Sequence, residues 1–404
     1  MGITRLMNLL REKCPKSIKS VPLSNYTGQI FALDASMAMY QFLISTQTIK
    51  TAGFSIAELR DEEGNLTGHL LGLLNRTLML MEHGIRPVWV FDGKPPDAKI
   101  NVLRGRKERK DNAEKEKDEA KDQGDLEKAL KFANQTIRID KKMVDDAKKL
   151  INLLGLPVIE APSEAEATCS ILAKDKKVFA AATEDMDTLC FGCPVLIREL
   201  SGKEENITEI KLDEVLSGLG LNMDEFVDLC ILCGCDYCER IEGIGCIKAY
   251  QLIKEYKTIE KVIEYADKYN KDDNHKKKYT YNKDNFDFVT ARKLFKNPEV
   301  IDSSTVDFKF NAPNTQALKE FLVKEKNFSE TRIDNAIKRL GNAKNKANQS
   351  RLDSFFSFMP KKDDKQSVNP GKIKPKQVSA DKNKNKNKKG SKKGSKKSKS
   401  LIIY

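Results

Sequence analysis

KVFAAATEDMD, residues 177–187, is the stretch that decides the fold. It begins as a short apolar run and ends in acidic residues, as a buried strand does where its carboxyl end reaches solvent. Similar apolar runs are QIFALD at 29–34, PVWVFD at 87–92 and PVLIR at 194–198. Because both faces of these runs are apolar, they are typical of parallel strands covered on both sides. Helical patterns lie between them, near residues 36–46, 67–83, 140–154 and 164–175. The alternation predicts an α/β fold, with a mainly parallel twisted sheet flanked by helices.

Composition narrows the class of protein. The chain has 404 residues, of which 39% are hydrophobic and 32% charged, enough for a sizeable core. No apolar run approaches the roughly 18–20 residues of a membrane span. The start, MGITRLMNLL, lacks a signal-peptide pattern, and Leu6 breaks the myristoylation pattern. Nine cysteines without an export signal predict reduced intracellular thiols.

The net charge of +13 resides in the C-terminal tail. Residues 361–404 hold 16 lysines and 3 aspartates, so the preceding residues carry as many acidic as basic side chains. The lysine-, asparagine- and serine-rich composition of this tail predicts disorder. A second charged stretch, 104–125, has Ala113 and Ala120 as its only apolar side chains, so a helix there would have no face to bury. Taken alone, it favours a solvated helix or loop over a mobile basic arm reaching across a ligand.

Acidic residues follow three of the predicted strands. Asp34, Asp92, Asp185 and Asp187 stand at or just after their carboxyl ends. In parallel α/β sheets that edge is where ligands bind. With only three histidines in the chain, the pattern favours hard oxygen ligands for Mg²⁺ or Mn²⁺.

Three further segments carry alternative interpretations. In APSEAEA, 161–167, Ser163 and Glu166 match a helix capping box, while Glu164 and Glu166 could equally be metal ligands. The cysteines around LCGCDYC, 232–238, raise the possibility of a zinc site, but their crowding favours small buried side chains over zinc. The Gly-Ile-Gly turn at 243–245, followed by Lys248, could approach a phosphate.

Together the motifs resemble those of structure-specific 5′ nucleases, and most closely the eukaryotic flap endonuclease family. They are VFDGKPP (90–96), APSEAEA (161–167), ATEDMDTLCFG (182–192), FVDLCILCGCDYC (226–238) and the Gly-Ile-Gly turn, and the resemblance extends from Met1 to about residue 356. It implies a 5′ flap endonuclease with 5′→3′ exonuclease activity. Such an enzyme hydrolyses phosphodiesters near the single-strand to duplex junction, in Okazaki fragment maturation and long-patch base excision repair.

The resemblance also implies a site with two Mg²⁺ ions, which Mn²⁺ can replace. One ion is assigned mainly to Asp34, Asp92, Glu164 and Glu166, and the other to Asp185, Asp187 and Asp236. Lys99 and Arg106 match catalytic cations at the base of a helical arch, and residues 104–150 match the arch itself, which favours the basic-arm interpretation of that stretch. The implied DNA contacts, with K⁺ at the helical turn, are Tyr40, Arg76, Glu164, Gly234, Asp236, Gly243, Gly245 and Lys248.

Beyond the core, Gln349, Leu352, Phe355 and Phe356 match the box that binds the sliding clamp, proliferating-cell nuclear antigen. The resemblance thus implies a monomeric enzyme of the nucleus and nucleolus, and it leaves open a mitochondrial share. Up to three molecules would bind one trimeric clamp, and no membrane partner is expected. Its partners are flap DNA and nicked or gapped DNA. The expected regions are a nuclease region (1–110), an arch segment (111–127), a second nuclease region with a helix-turn-helix-type duplex-binding turn (128–256), the end of the core (257–340), a clamp-binding segment (341–360) and the tail (361–404).

Some positions depart from the family pattern. They are Gln47, Arg240, Glu242 and Cys246, which concern duplex and cation binding rather than the carboxylates. Three other functions compete with flap cleavage: a sibling mismatch exonuclease or junction resolvase, a silent clamp-bound DNA scaffold, and a zinc-binding interaction module. The complete set of carboxylates, with Lys99 and Arg106, favours an enzyme over the scaffold, and metal analysis that finds no stoichiometric zinc would exclude the zinc module.

Overall fold

A computed structural model describes residues 2–46, 48–49, 56–57, 59–200, 206–271, 278–283 and 285–347. Gln47, the clamp-binding box at 349–356 and the lysine-rich tail fall outside these ranges. Within them, no helix has both the length and the apolar character needed to cross a bilayer.

The described part of the chain is organised around a seven-stranded sheet. Its strands are β1 (Ile18–Pro22), β2 (Ile30–Asp34), β5 (Arg86–Phe91), β6 (Val158–Glu160), β7 (Ala180–Ala182), β8 (Val195–Arg198) and β9 (Asn206–Lys211), while β3 (Thr48–Ile49) and β4 (Ile56–Ala57) form a separate pair. The order is β1-β9-β8-β7-β2-β5-β6. The five strands from β8 to β6 run parallel, whereas β9 and β1 add an antiparallel edge. The prediction of a mainly parallel sheet is therefore confirmed.

Strand β2 lies at the centre of the five parallel strands, and both of its faces are covered. Phe31 and Leu33 belong to one hydrophobic cluster, which also contains Trp89 of β5. Ala32, between them in sequence, belongs to a second cluster with Val90. Alternate side chains thus enter opposite layers, as the continuous apolar run predicts.

The helices surround the sheet and form the outer layers. They are α1 (Leu6–Lys13), α2 (Ala35–Thr46), α3 (Gly68–Glu82), α4 (Ile100–Asp122), α5 (Leu126–Thr136), α6 (Lys141–Leu153), α7 (Ala165–Lys174), α8 (Asp187–Cys190), α9 (Leu212–Leu219), α10 (Met223–Cys233), α11 (Cys246–Tyr256), α12 (Ile259–Lys271), α13 (Phe288–Lys296), α14 (Thr315–Lys319) and α15 (Glu330–Ala347). The four helices predicted between the strands correspond to α2, α3, α6 and α7.

The charged stretch 104–125 does have a face to bury, contrary to the sequence-based expectation. It lies mostly in α4, which pairs with α5 to form a helical hairpin. Ala113 and Ala120 of α4 are buried, as are Ala129 and Ala133 of α5. Small alanines at this spacing let the highly charged α4 approach α5 closely, so the two methyl groups of α4 provide the buried face that the sequence did not predict.

Two other expectations need correction. The single helix expected over 315–340 is interrupted: α14 continues as a π-helical segment, Glu320–Glu325, and a turn at Asn327 (φ +56°) precedes α15. The thiols of Cys233 and Cys246 are not free, because these residues form a disulfide between the end of α10 and the start of α11. The connection between α10 and α11 brings these two residues together, and their sequence separation of 13 does not reveal this proximity.

Candidate active site

The carboxyl edge of the parallel strands opens into a cavity of about 690 Å³. Six of the seven implied metal-site carboxylates line it: Asp34, Asp92, Glu164, Glu166, Asp185 and Asp236. Asp187 lies beside them, since its backbone N–H donates to Asp185 Oδ1 at 3.1 Å. The other face of the cavity carries cations from α4 and beyond: Arg106, Lys107, Arg109, Lys110 and Arg138. The structure therefore brings the acidic residues of separate motifs to one place, opposite a basic wall.

Asp34 and Asp92 are fixed by the helices that follow their strands. Asp34 Oδ1 accepts from the Met37 N–H in the first turn of α2 (2.9 Å), and Oδ2 accepts from Thr183 Oγ1 (3.1 Å). Burial, reinforced by the charges of Asp92 and Asp185, raises the pKa of Asp34 to about 7. Asp92 Oδ1 accepts from the Ala165 N–H at the start of α7 (2.8 Å). Both aspartates thereby use backbone donors at helix N-termini, which stabilise negative charge.

The capping-box interpretation of APSEAEA is wrong. The N-cap position of α7 is Glu164, and no side chain caps the helix there. Glu164 and Glu166 are buried instead, each with 6% of its surface exposed. Burial, then the charge of Glu164, raises the pKa of Glu166 well above its usual value. The segment therefore supplies two carboxylates to the cavity and leaves the helix start to Asp92.

Lys99 neutralises part of this acidic cluster. Its Nζ donates to Glu164 and lies 3.4 Å from Asp236 Oδ2. Burial alone would lower the pKa of Lys99, but the nearby carboxylates outweigh burial and raise it. The ammonium group therefore stays charged at the floor of the cavity, where an anionic ligand would meet it.

Arg106 and Tyr237 contact the same two carboxylates as Lys99. Arg106 Nη2 donates to both oxygens of Asp236, at 2.7 and 2.6 Å. The buried Tyr237 hydroxyl donates to Glu164, and its ring packs edge-on against Phe295 with centroids 4.9 Å apart. Burial, together with the charge of Glu164, raises the pKa of Tyr237 well above its usual value, so the hydroxyl remains a donor.

Asp187 and Gly2 show how tightly the cluster is packed. Asp187 is 1% exposed, and its Oδ1 has no hydrogen-bond partner among the described residues. Burial, followed by the charge of Asp185, raises the pKa of Asp187 well above its usual value. The backbone of Gly2, at φ +76°, lies against these two acids: a Cβ there would sit 1.8 Å from Asp185 Oδ1 and 2.3 Å from Asp187 Oδ1. Only glycine fits this position.

The residues present fit a hard divalent cation. Over the described ranges, no three histidine, cysteine or acidic side chains converge on one point as a finished metal site, since Lys99 and Arg106 take up oxygens of Glu164 and Asp236. The donors are nevertheless all carboxylates, which magnesium and manganese prefer. A buried, unpartnered oxygen at Asp187 is costly unless something binds it. The cluster thus has the chemistry of a cation site without soft ligands.

Tyr40 lies at the cavity wall beneath the α4–α5 hairpin. Its hydroxyl accepts from Lys110 Nζ at 3.0 Å, and that ammonium lies 5.0 Å from the ring centroid. The same Nζ donates to the Ile137 carbonyl at 2.9 Å. Lys110 thereby joins α4, the segment after α5, and the aromatic ring expected to stack on a base.

Arg76 points into the protein rather than across the cavity. Its Nη1 donates to Gln41 at 3.1 Å, and the guanidinium lies 4.4 Å from the Phe42 ring centroid. Burial lowers the pKa of Arg76 to about 10. The expected DNA contact of Arg76 stays a prediction.

The expected duplex-binding turn lies between α10 and α11, next to the carboxylates. Gly234 ends α10 at φ +108°, and its carbonyl accepts from the Thr4 N–H at 3.0 Å. Gly243 has φ +88°, and Gly245 is the N-cap of α11, with open space where a Cβ would be. Lys248 Nζ lies 5.7 Å from the Tyr265 ring. These residues occupy one turn, whereas their DNA and K⁺ contacts stay predictions.

The departures from the family pattern have structural roles in the same region. Glu242 accepts from Thr280 Oγ1 at 2.9 Å, and the backbones of these two residues pair in a short bridge. The Arg240 side chain covers Gly234, where a Cβ would meet it at 2.3 Å. Cys246 forms the disulfide with Cys233. The zinc interpretation concerned Cys230, Cys233, Cys235 and Cys238, which do not form a metal cluster among the described residues.

Sequence reasoning missed three residues of the site. Gly2, Tyr237 and Lys110 contact predicted site residues, yet none had been singled out for that role. Tyr237 follows Asp236 directly, so its proximity to the motif was the available signal. For Gly2, no local signal exists, because the chain must fold to bring residue 2 to residues 185–187.

Comparison with known proteins places this geometry in context. The family model described as the XPG N-terminal domain matches residues 1–113, and that of the XPG I-region matches residues 155–236. Flap endonuclease 1 of Tetrahymena thermophila is 51% identical over 362 residues, which are 89% of this chain and 94% of that protein. Flap endonuclease 1-2 of Paramecium tetraurelia is 48% identical over 360 residues, 88% of this chain and 91% of that protein.

Solved structures give the same result at the level of the fold. Flap endonuclease-1 from Methanococcus jannaschii matches with a TM-score of 0.61 and 32% identity, over 81% of this chain and 97% of that one. The catalytic core of Rad2, solved in complex with DNA substrate, matches with a TM-score of 0.64 over 84% of this chain and 100% of that one. At 22% identity, the second likeness concerns the fold alone.

Proposed function

The chain belongs to the flap endonuclease family, and we propose that it removes 5′ flaps by hydrolysing a phosphodiester in the cavity at the carboxyl edge of its sheet. As a member of this family it is a DNA-cleaving hydrolase, and nucleases of the family depend on metal ions. The finer features, which are the identity of the ions, the DNA path, the clamp and the compartment, are part of the proposal.

The single observation that carries the proposal is the pairing of acidic and basic groups in one cavity. Six carboxylates line it, and Lys99 and Arg106 lie among them. The carboxylates alone would repel an anionic phosphodiester, which can approach once cations balance their negative charge.

We infer that Asp34, Asp92, Glu164 and Glu166 hold one Mg²⁺, and that Asp185, Asp187 and Asp236 hold the other. Mn²⁺, with the same preference for oxygen, can substitute. Ions held by these seven carboxylates would supply Lewis-acid activation of a water molecule and stabilise negative charge on the leaving oxygen. Tyr237 and the α2 and α7 N-termini orient the carboxylates for that task.

The cations of this chain bind the substrate. Lys99 and Arg106 exchange their carboxylate partners for oxygens of the scissile phosphate, where they stabilise the charge that develops. Tyr40 releases Lys110 and stacks on a base at the junction, and such stacking contributes about 1–3 kcal/mol per base. The basic wall of α4 lies above, so a single strand passing beneath the hairpin meets cations throughout.

The turn around Gly243 and Gly245 binds the duplex, and K⁺ is the cation proposed there. Contacts of this kind position DNA without reading its sequence. Arg76, whose guanidinium stays within the protein, supports the site from behind unless binding frees it.

We further propose a nuclear role in Okazaki fragment maturation and long-patch base excision repair. The clamp box at 349–356 supports recruitment by the sliding clamp, since Leu352, Phe355 and Phe356 recur at the spacing of a helical turn. The lysine-rich tail supports nuclear import or a non-specific DNA tether.

Cleavage of a labelled double-flap DNA tests the reaction. We expect one product released near the junction in Mg²⁺, and none with chelator or with Asp187→Ala. Equal cutting of blunt nicked duplex would favour a mismatch exonuclease, and cutting of four-way junctions a resolvase. Tight flap binding without product under any divalent metal would identify a scaffold.

The clamp proposal has a separate test. Phe355→Ala combined with Phe356→Ala is expected to abolish stimulation by the clamp and to leave clamp-independent cleavage at the wild-type level. Loss of clamp-independent cleavage would contradict it.

A further inference from the structure

Two free thiols face each other in the loop that carries Asp236. Cys235 Sγ and Cys238 Sγ lie 3.9 Å apart, within hydrogen-bond reach for sulfur. Both residues line a polar cavity of about 440 Å³, which also contains Thr4, Asn101, Arg240 and Asn285. The pair is therefore open to small polar molecules, independently of the larger cavity at the sheet edge.

This pair differs from the other thiols of the chain. Of the seven free cysteines, Cys235 alone is not buried, and its neighbour Cys238 is 8% exposed. All nine cysteines fall within the described residues, so the count covers the whole sequence. A soluble oxidant would thus reach Cys235 before any other free thiol.

The residues between the two cysteines belong to the candidate active site. Asp236 accepts two hydrogen bonds from Arg106, and the Tyr237 hydroxyl donates to Glu164. The loop itself has no helical or strand structure from residue 234 to 240. Any change in the geometry of the two sulfurs is therefore transmitted through three peptide bonds that carry two site residues.

We propose that Cys235 and Cys238 form a thiol-modification site, at which oxidation by a disulfide such as glutathione disulfide closes a bond and displaces Asp236 and Tyr237. This inference rests on the proposed function, since it concerns the same metal-binding carboxylates. A disulfide requires sulfurs about 2.05 Å apart, so the pair must approach by nearly 2 Å. A loop outside the helices and strands can make that movement, and the two side chains between the cysteines move with it.

The exchange is balanced in atoms and electrons. The Cys235 sulfur attacks one sulfur of glutathione disulfide, the glutathione S–S bond breaks, and one glutathione leaves with the Cys235 proton. The Cys238 sulfur then attacks the Cys235 sulfur of the mixed disulfide, and the second glutathione leaves with the Cys238 proton. Two electrons pass from the protein to glutathione, and a thiol reductant reverses both steps.

The experiment compares reduced and glutathione-disulfide-treated full-length protein by three measurements. Peptide mapping without reduction identifies the linkage, electron paramagnetic resonance measures Mn²⁺ binding, and a double-flap assay measures cleavage. In the wild type we expect a Cys235–Cys238 linkage, Mn²⁺ affinity lowered about tenfold or more, and a similar loss of cleavage, all reversed by dithiothreitol. Displacement of groups that orient metal ligands typically has an effect of that size.

Matched variants separate this site from the existing disulfide. Cys235→Ser, which keeps a polar atom of similar size, should retain Mn²⁺ binding after oxidation. Cys238→Ser should give the same result and replaces the first variant if that variant folds poorly. Cys233→Ser combined with Cys246→Ser should respond to oxidation as the wild type does. An equal loss in Cys235→Ser would overturn the proposal, as would a linkage that leaves Mn²⁺ affinity unchanged or the absence of any Cys235–Cys238 linkage.

The proposed function can fail separately. If the reduced wild type binds Mn²⁺ but does not cut flaps, the reaction assignment is wrong, while the mapping and Mn²⁺ measurements still decide the thiol proposal.

Discussion

Asp187 and Asp228 are both buried aspartates, and their surroundings are opposite. The Asp228 carboxylate, in α10, accepts hydrogen bonds from Arg292 Nε (2.7 Å), Arg292 Nη2 (2.8 Å) and the Ile259 N–H (3.1 Å). Asp187 has an oxygen without a partner among the described residues and lies beside a second acid, Asp185. Burial raises the pKa of both aspartates.

The difference separates a structural charge from a functional one. The charge of Asp228 is offset by Arg292, which joins α10 to α13, whereas the charge of Asp187 is left for a ligand. Removing the first should cost stability, and removing the second should cost activity. Four substitutions or conditions test this contrast.

The largest effect is expected for Asp187→Ala. Cleavage of a flap should fall about 10³-fold or more, because metal ions supply several kcal/mol of transition-state stabilisation. Flap binding should stay within a few-fold and the melting temperature should not fall, since the substitution removes a buried carboxyl group with an unpartnered oxygen. Asp334→Ala, at the exposed surface of α15, is the control. Wild-type turnover in Asp187→Ala would refute the metal assignment.

Asp228→Ala should show the converse. The loss of the buried carboxylate removes its hydrogen bonds from Arg292 and from the Ile259 N–H, while Arg292 keeps its pairing with Glu260, so we expect the free energy of unfolding to fall by about 1–3 kcal/mol. Turnover of the remaining folded protein at low temperature should be near the wild-type value. Denaturant unfolding measures the first, and a cycle with Arg292→Ala isolates the pair. Full stability would show that Asp228 is not the structural charge inferred here.

Gly2→Ala tests how closely the chain approaches Asp185 and Asp187. A Cβ would collide with both carboxylates, so we expect cleavage to fall about 100-fold, the effect of a displacement near 1 Å in a site. Gly341→Ala, with open space around its Cβ position, is the matched control and should be neutral. Equal rates for both variants would mean that residue 2 lies elsewhere in solution.

His69 extends the comparison of Asp187 with Asp228, because its ring nitrogens lack hydrogen-bond partners within the described ranges although it lies outside the candidate active site. Neither ring nitrogen makes a well-formed hydrogen bond, and burial lowers its pKa to about 4 although the Met143 backbone favours the charged form. Below pH 6.5 the His69 imidazole binds a proton in the unfolded chain, whereas in the folded chain it stays neutral until the pH falls to about 4. The free energy of unfolding should therefore decrease with falling pH, by about 2 kcal/mol at pH 5.

His69→Leu removes this titration and should flatten the pH dependence of unfolding between pH 6.5 and 5, with flap cleavage unchanged at pH 7.5. An unaltered pH dependence would assign the effect to other groups.

The central strands were predictable because apolar runs ending in acids leave little choice of structure. β1, β6 and β9 of the main sheet were missed: Val158–Glu160 is too short to show a pattern, and Ile18–Pro22 and Asn206–Lys211 mix polar residues with apolar ones. Asp34, Asp92, Asp185 and Asp187 could be inferred from strand ends, whereas Glu166 was open to a capping role until the structure gave the α7 start to Asp92. Glu164 was already a possible ligand beside Glu166, whereas Asp236 owed its ligand role to the family resemblance. Contacts made only in three dimensions, such as Gly2 against Asp185, left no trace in the sequence.

The strand order has a consequence for synthesis on the ribosome. β2, near the start of the chain, pairs with β7, about 150 residues later, and the last carboxylate, Asp236, follows α10. The pairing of β2 with β7 therefore cannot form until the chain through Ala182, nearly half of its length, has left the exit tunnel, and Asp236 follows only past the midpoint. A nascent nuclease of this design carries its acids apart from one another and becomes competent to cut only late in translation.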